Sequence, residues 1–487
     1  MQENNTVYIG FDRVAMYDSA GQPKIGLPTG WPYSDTFSSD SPIFNKSPEE
    51  IKAEFGVEFP INWKEIEANY PIEFQSNLYL LLNYHYFGDD LPSGHIKVKY
   101  DTVENLVKEN KPFYYVMYFM SNAWIHKRPI GLSPEVLKAV ESGNCTVLFT
   151  LLCEGYFDNV TDVKWLSEFG TVNKLNPTNF IFSHSNYKFD ETINKARADN
   201  ITINFTYIPL NYFEYRPWFL PFYHPYNEVV ANESKSRLTE FITDNRNKKV
   251  YKHFNILNRR PRQHRVVFFT EIMSTPELKS KSGISLGNEG LLNSNERIIK
   301  ELEYISYTYP EYKPNYEFAK THDFTTPVVL DVDLGPNRAG EYTRELYRDY
   351  FCTLTSETLV GNGTLFFSEK TFKPIYNLHP FIFLGNPFSL KKLKELGYKT
   401  FSRWWDESYD EEIDYLKRIK KISSVMKTVA SWSEEECVQV TQDMEETLVH
   451  NFNNFFNNKR YEEFITDLYD RQIAKLYDRQ ILVKTLI

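Results

Sequence analysis

An α/β fold with two doubly wound parallel sheets is what this chain predicts, on three grounds. Its 487 residues exceed what one ordinary hydrophobic core holds, so two domains of roughly 240 residues each are expected. From Phe113 onward short apolar runs alternate with helical stretches, the pattern of parallel strands joined by crossover helices. A polar linker at 244–249 closes that series, and a second strand, turn and helix series opens directly behind it.

Residues 1–110 are rich in Pro, Gly, Asp and aromatic side chains, and apart from an amphipathic piece near 47–55 no element is assigned there. Order then starts with a strand at 113–119. Ser133 caps and Pro134 opens a helix that stops at Gly143, and a second strand follows at 145–152. A helix near 160–169, a strand at 179–183, a helix near 190–198 and a strand at 201–208 complete four strands and three helices. The aromatic and proline-rich stretch 209–226 reads as a loop over a domain junction, and 234–243 as a helix.

The second series begins with FNILNRRPRQHRVVFF: a strand to Leu257, a basic turn, and a helix with Pro261 at its first position. Arg259, Arg260, Arg262, His264 and Arg265 crowd this helix start. Cations at the positive end of a helix dipole repel it and one another, so an anion is wanted there. A diphosphate suits the arginine forks and the free N–H groups, whereas a solvated basic turn or a nucleic-acid patch is the plainer reading. A strand at 283–286 and a helix at 295–304 come next. VVLDVDLG at 328–335 offers Asp331 and Asp333 to a divalent cation, although the arginines make a metal redundant for the same charge.

A strand at 350–355 delivers Ser356, Glu357 and Thr358 to the carboxyl edge of the second sheet. LFFSEKTFKPIYNLHPFIFLG at 365–385 then packs a strand end, a charged helix start and a buried strand into one short stretch. Ser368 is the N-cap, and Glu369, Lys370, Thr371 and Lys373 fall in the first turn or just beyond it. A glutamate so placed can accept both hydroxyls of a ribose, while the lysines and helix N–H groups hold phosphate oxygens; a solvated surface helix start is the alternative. Ser389 caps a helix to Gly397, a long amphipathic helix follows, and Ser433 with Glu436 forms a capping box. These C-terminal helices are expected to pack back across the domain interface. The predicted division is 1–245, 246–430 and 431–487. The tail repeats LYDRQI at 468–473 and 476–481, either a duplicated helical end or a remnant added to the chain.

A net charge of −10 argues against nonspecific coating of nucleic acid, so any polyanion site must be local. No run of eighteen apolar residues and no basic, apolar leader is present, which predicts a cytosolic protein without a membrane span. Cys145, Cys153, Cys352 and Cys437 have no metal-binding spacing and read as reduced structural thiols. For catalysis two residues stand out because each follows an apolar strand of the first series: Glu154 as a base, and His184 as a base or a positioning group.

The N-R-R-P-R turn, the SET triplet about a hundred residues later and the FFSEKTFKPIYNLHPFIFLG stretch together resemble the GT-B type glycosyltransferases of bacteria, phages and large viruses, including fucosyltransferase-like enzymes. The resemblance covers roughly residues 249–405. It implies two facing Rossmann-like domains, a nucleotide-sugar donor on the C-terminal one, an acceptor glycan on the N-terminal one, and no obligatory metal or other cofactor. By the same resemblance Glu369 and Lys370 match the family's ribose and phosphate contacts, and the arginines of the turn match its diphosphate grip. Rival readings are a phage glycosyltransferase acting on modified DNA, which needs a basic groove and a base-flipping pocket, and a noncatalytic glycan- or nucleotide-binding protein. A sugar-nucleotide dehydrogenase or epimerase would need a G-x-G-x-x-G turn after its first strand, and the sequence has none.

Overall fold

Six strands, all parallel, form the first sheet: β1 (Thr6–Phe11), β2 (Lys97–Thr102), β3 (Phe113–Phe119), β4 (Cys145–Leu151), β5 (Phe180–His184) and β6 (Thr206–Pro209). Their order is β2-β1-β3-β4-β5-β6, so the chain winds outward from β1 to β2 and then reverses to β3 on the other side. That reversal is a topological switch point. The structure is a computed structural model and describes residues 6–11, 97–119, 132, 134–151, 159–211, 214, 226–245, 249–250, 252–287, 295–328, 345–361, 363–457 and 460–485.

Helices α1 (Val103–Lys108), α2 (Pro134–Glu141), α3 (Val160–Val172) and α4 (Phe189–Ala198) accompany this sheet. The alternation of each strand explains the core. Phe113, Tyr115 and Met117 of β3, Val147 and Phe149 of β4 and Phe180 and Phe182 of β5 share one buried cluster with Val163, Leu166, Phe169 and Ile193 of the helices. Phe149 packs edge-on against Trp165 and Phe169, with ring centroids 5.7 and 5.8 Å away. Asn159 and Asp162 close α3 with a capping box.

The sequence pattern predicts four strands here, and among the described residues the sheet has six. The two additional strands lie in the segment left without elements, where the β-branched and aromatic run TVYIGF makes β1 an interior strand. In β6 only Thr206–Pro209 pairs, so the strand is shorter than the expected 201–208.

Helix α5 (Tyr226–Asn245) leads to the second sheet, built from β7 (Lys252–Asn258), β8 (Ser282–Leu286), β9 (Tyr350–Ser356) and β10 (Phe381–Leu384). All pairs are parallel and the order is β10-β9-β7-β8. The chain steps from β7 to β8 on one side and then crosses to β9 on the other, which sets a second switch point between β7 and β9. Its helices are α6 (Gln263–Met273), α7 (Pro276–Lys281), α8 (Asn295–Thr308), α9 (Lys313–Ala319), α10 (Glu345–Arg348), α11 (Glu369–Tyr376), α12 (Ser389–Glu395), α13 (Tyr415–Ala430), α14 (Glu434–Asp443) and α15 (Glu445–Phe456). Ser433 and Glu436 form the predicted capping box on α14.

The expected α/β class with two parallel sheets is what the chain adopts. Two compact units contain them: one holds the first sheet and the chain end from Lys459, the other holds Asn232–Asn458. The C-terminal helix α16 (Arg460–Thr485) therefore belongs with the first sheet. Its Gln472 amide donates to the Thr6 carbonyl at 2.9 Å and accepts from the Tyr8 N–H at 3.3 Å, and the Tyr114 hydroxyl donates to the Leu468 carbonyl at 2.6 Å. Both LYDRQI copies lie on α16. Cys145, Cys352 and Cys437 are buried and unbridged, and burial pushes the Cys145 thiol up to about 12. Cys153 lies outside the described residues.

Candidate functional site at the carboxyl edge of the second sheet

Three segments meet where β7 and β9 end. The first is the turn after β7, which the sequence reading continued into a helix from Pro261. The helix instead begins at Gln263, because the Arg262 N–H bonds to the Arg260 carbonyl at 2.9 Å and Arg262 stays extended at the N-cap. No side chain caps this end. Arg259 and Arg260 are exposed on the turn and Arg262 is half-buried. A Cβ on Gly287 would run into the Arg259 carbonyl, and the Gly287 N–H donates to the Asn258 carbonyl at 2.9 Å, so this turn is fixed against the end of β8.

His264 and Arg265 point the other way, into the protein. The His264 Nε2 donates to the Glu357 carbonyl at 2.9 Å, and burial with the neighbouring Arg265 charge brings its pKa down to about 3. It is a neutral imidazole. The buried Arg265 guanidinium donates to the Ser356 and Glu357 carbonyls, each at 3.0 Å, and to the Arg260 carbonyl at 3.3 Å. Where the sequence suggests five cationic groups on a diphosphate, Arg259 and Arg260 are exposed and Arg262 half-buried on the turn, while Arg265 and His264 hold backbone.

The second and third segments are SET and the start of α11. Glu357 is wholly buried, and its carboxylate accepts four hydrogen bonds. Oε1 takes the Ser368 N–H at 2.9 Å and the Thr371 hydroxyl at 2.5 Å; Oε2 takes the Ser368 hydroxyl at 2.7 Å and the Thr358 N–H at 3.0 Å. Its carbonyl carries the helix α6 start and its carboxylate the helix α11 start. One residue thus ties together two motifs separated by about a hundred positions. Arg418, on α13, adds a second clamp: its guanidinium donates to the carbonyls of Gly385, Glu412, Ile413 and Val360, which fixes loops beyond β9 and β10. Burial draws its pKa down to about 10.

Ser368 is the N-cap of α11, its hydroxyl accepting the Lys370 N–H. Leu365–Phe367, expected as a strand end, is not a strand; the Phe366 N–H goes to the Asn386 side chain at 3.3 Å, so a side chain replaces ladder pairing. Glu369 and Lys370 form an ion pair on the first turn, with 13% and 27% of their side chains exposed, and Lys370 also reaches the Ser368 hydroxyl at 3.3 Å. Burial raises the Glu369 pKa, but the charges of Lys370 and Lys373 outweigh it and hold the carboxyl below the usual range. Lys373 is half-buried further along the helix. Glu369 is an ionised acceptor at a helix start.

Asn258 and Ser356 are the last residues of β7 and β9; the sequence offers Asn258 only as the first residue of the N-R-R-P-R turn and Ser356 as a donor-binding position of the SET triplet. The pairing of β7 with β9 runs as far as Asn255↔Thr353, three positions before each of these residues. Their side chains are buried, with 2% and 3% exposure, and neither the Asn258 amide oxygen and nitrogen nor the Ser356 hydroxyl has a hydrogen-bond partner. An isolated asparagine before two arginines gives no sequence signal for this.

In the first sheet His184 ends β5 and is fully buried, its Nδ1 accepting the Asn186 N–H at 3.3 Å and its ring stacked on Phe182. Glu154, Asp331 and Asp333 lie outside the described residues. Among the described residues no group of three or more His, Cys, Asp or Glu stands together as a metal centre, and no helix is long and apolar enough to cross a membrane.

No family model and no curated protein matches this chain. Among solved structures, the α,α-trehalose-phosphate synthase (UDP-forming) of Burkholderia xenovorans in complex with glucose-6-phosphate is 10% identical, with a TM-score of 0.38 over 75% of this chain and 76% of that one. The α,α-trehalose 6-phosphate synthase of Burkholderia multivorans is 9% identical, with a TM-score of 0.39 over 83% and 78%. The E. coli trehalose-6-phosphate protein bound with UDP-2-fluoro glucose gives 10% and 0.38 over 75% of each chain. At this level of likeness any functional reading rests on the geometry of the site alone.

Proposed function

We propose that the chain is a metal-independent glycosyltransferase of the GT-B type, which moves a sugar from a nucleoside-diphosphate sugar to a hydroxyl of an acceptor glycan in the cytosol. The observation that carries this reading is the Glu357 junction, which holds an uncapped, arginine-rich helix start and an ionised glutamate–lysine helix start at one switch point. Open α/β sheets bind ligands at such points.

Each part has a task in the transfer. Arg259, Arg260 and Arg262 with the N–H groups of α6 neutralise the departing diphosphate, which is the leaving group and gains charge in the transition state. Lys370 and Lys373 add positive charge from α11. Glu369 accepts the ribose hydroxyls and so orients the nucleotide. Ser356, Thr358, Ser368 and Thr371 set the shape of the edge, and Glu357, His264 and Arg265 act through backbone and side-chain positioning. For an inverting transfer Glu154 takes the acceptor proton; the His184 ring is enclosed by its own strand end and is the less suitable base.

The test is a thermal-stabilisation screen of nucleotide sugars in EDTA, followed by turnover of the best donor in wild type and Glu154→Gln. Ligand at a hundred times its dissociation constant adds about 2.7 kcal/mol of stability. Stabilisation by a nucleoside-diphosphate sugar in EDTA, with turnover falling about a hundredfold in Glu154→Gln, supports the reading. No stabilisation by any nucleotide, or stabilisation and turnover appearing only with added manganese, counts against it.

A further inference from the structure

The polar atoms at the ends of β7 and β9 are unexplained by the fold. Asn258 offers a donor and an acceptor, Ser356 offers both through one hydroxyl, and all three atoms are buried without partners. Buried amides and hydroxyls are nearly always satisfied, so these unsatisfied atoms need a reason. Three observations locate that reason outside the protein core. The two residues end β7 and β9 at the switch point between these strands, three positions beyond their last pair, Asn255↔Thr353, and open α/β sheets bind ligands at such points. Asn258 directly precedes the arginine turn, and its backbone is already committed, its N–H to the Ser285 hydroxyl at 3.2 Å and its carbonyl to the Gly287 N–H at 2.9 Å. Ser356 directly precedes Glu357, and its carbonyl is held by Arg265. The backbone of both positions is rigid while their side chains are unused.

The chemistry of the pair differs from that of its surroundings. A phosphate oxygen only accepts, and the arginines and helix N–H groups already supply donors. An amide with a hydroxyl suits a group that donates and accepts at once, which is what a sugar hydroxyl does. We propose that Asn258 and Ser356 form the subsite that reads a hydroxyl of the transferred sugar, so that they separate a nucleotide sugar from the bare nucleotide. This rests on the donor site described above and goes beyond it by naming the residues that recognise the sugar rather than the nucleotide.

Calorimetry with UDP, UDP-glucose, GDP and GDP-fucose, on wild type, Asn258→Ala and Ser356→Ala, tests the assignment. Wild type should bind one nucleotide sugar more tightly than its nucleoside diphosphate. Asn258→Ala should weaken the nucleotide sugar about tenfold, the effect of losing one or two neutral hydrogen bonds, and leave the diphosphate unchanged. Ser356→Ala should act in the same direction with a smaller factor. Because neither side chain has a partner within the protein, both variants should keep the wild-type melting temperature without ligand. Equal loss of both ligands, unchanged affinity for both, or a lowered melting temperature with no sugar-specific effect would overturn the subsite and leave the nucleotide site standing. If wild type binds none of the four, the subsite and the proposed function fall together.

Discussion

The two sheets follow the same winding rule, and the packed centre of the first contrasts with the carboxyl edge of the second. In the first, the buried centre is a run of aromatic and aliphatic side chains around Phe149, Phe169 and Phe182, and the C-terminal helix fastens to it through Gln472 and Tyr114. In the second, ionised or strongly polar groups are buried at the carboxyl edge: Glu357, Arg265, Arg418 and a neutral His264. Apolar packing fixes a sheet, whereas buried ions with several hydrogen bonds each fix loops and helix starts, at a desolvation cost that only full pairing offsets. The second edge therefore holds backbone at given positions before any ligand arrives, the preorganisation that the proposed transfer would need.

Removing the centre of that arrangement should have the largest effect. Glu357→Ala leaves the Ser368 N–H and hydroxyl, the Thr371 hydroxyl and the Thr358 N–H without their acceptor, and should cost about 3 kcal/mol or more. Hydrogen exchange is the sharpest readout, since it resolves the two units. Protection should fall in β9 and α11 and persist in β4 and β5. A uniform loss across both sheets would erase the distinction between them.

A pH titration sharpens the same contrast. The folded His264 has its pKa brought from 6.5 to about 3, so below pH 6.5 the unfolded chain takes up a proton that the folded one refuses. The stability it contributes is full above pH 6.5 and declines as the pH falls toward 3, by up to about 1.4 kcal/mol per pH unit. In His264→Gln that part of the slope should vanish. Denaturation at pH 7.0 and 5.0 on both proteins measures it, and identical slopes would mean that His264 is not held neutral by the junction.

The first unit gives the smallest effect. Gln472→Ala breaks two hydrogen bonds between the C-terminal helix and β1, and should cost about 1 kcal/mol, with lost protection confined to that helix and strand. A change in donor binding from this variant would show that the proposed donor site depends on this helix contact.

What the sequence disclosed follows the same division. Strands that are continuous apolar runs, such as CTVLFTL and FIFL, and helices with strong caps, such as those begun by Pro134 and Ser433, are legible because local pattern and tertiary role agree. β1 and β2 were not, since they are separated from each other by a long stretch and are paired only through the sheet. At the site, the helix start with Ser368, Glu369 and Lys370 was legible from its cap and charges. The direction of Arg265 was not: an arginine near a helix start reads the same whether it meets a ligand or a buried carbonyl, and only the position of the Ser356 and Glu357 carbonyls decides it. Asn258 was legible only as the first residue of the N-R-R-P-R turn, for the converse reason, as a missing partner is a property of the packed structure.

The central claim, that the helix start at Ser368 holds the nucleotide, is tested most directly by calorimetry of the preferred nucleoside diphosphate with wild type and Glu369→Ala in EDTA. Loss of a charged acceptor should weaken binding by about 1.5–3 kcal/mol while the variant stays folded. Unchanged affinity in a folded Glu369→Ala protein would contradict the claim.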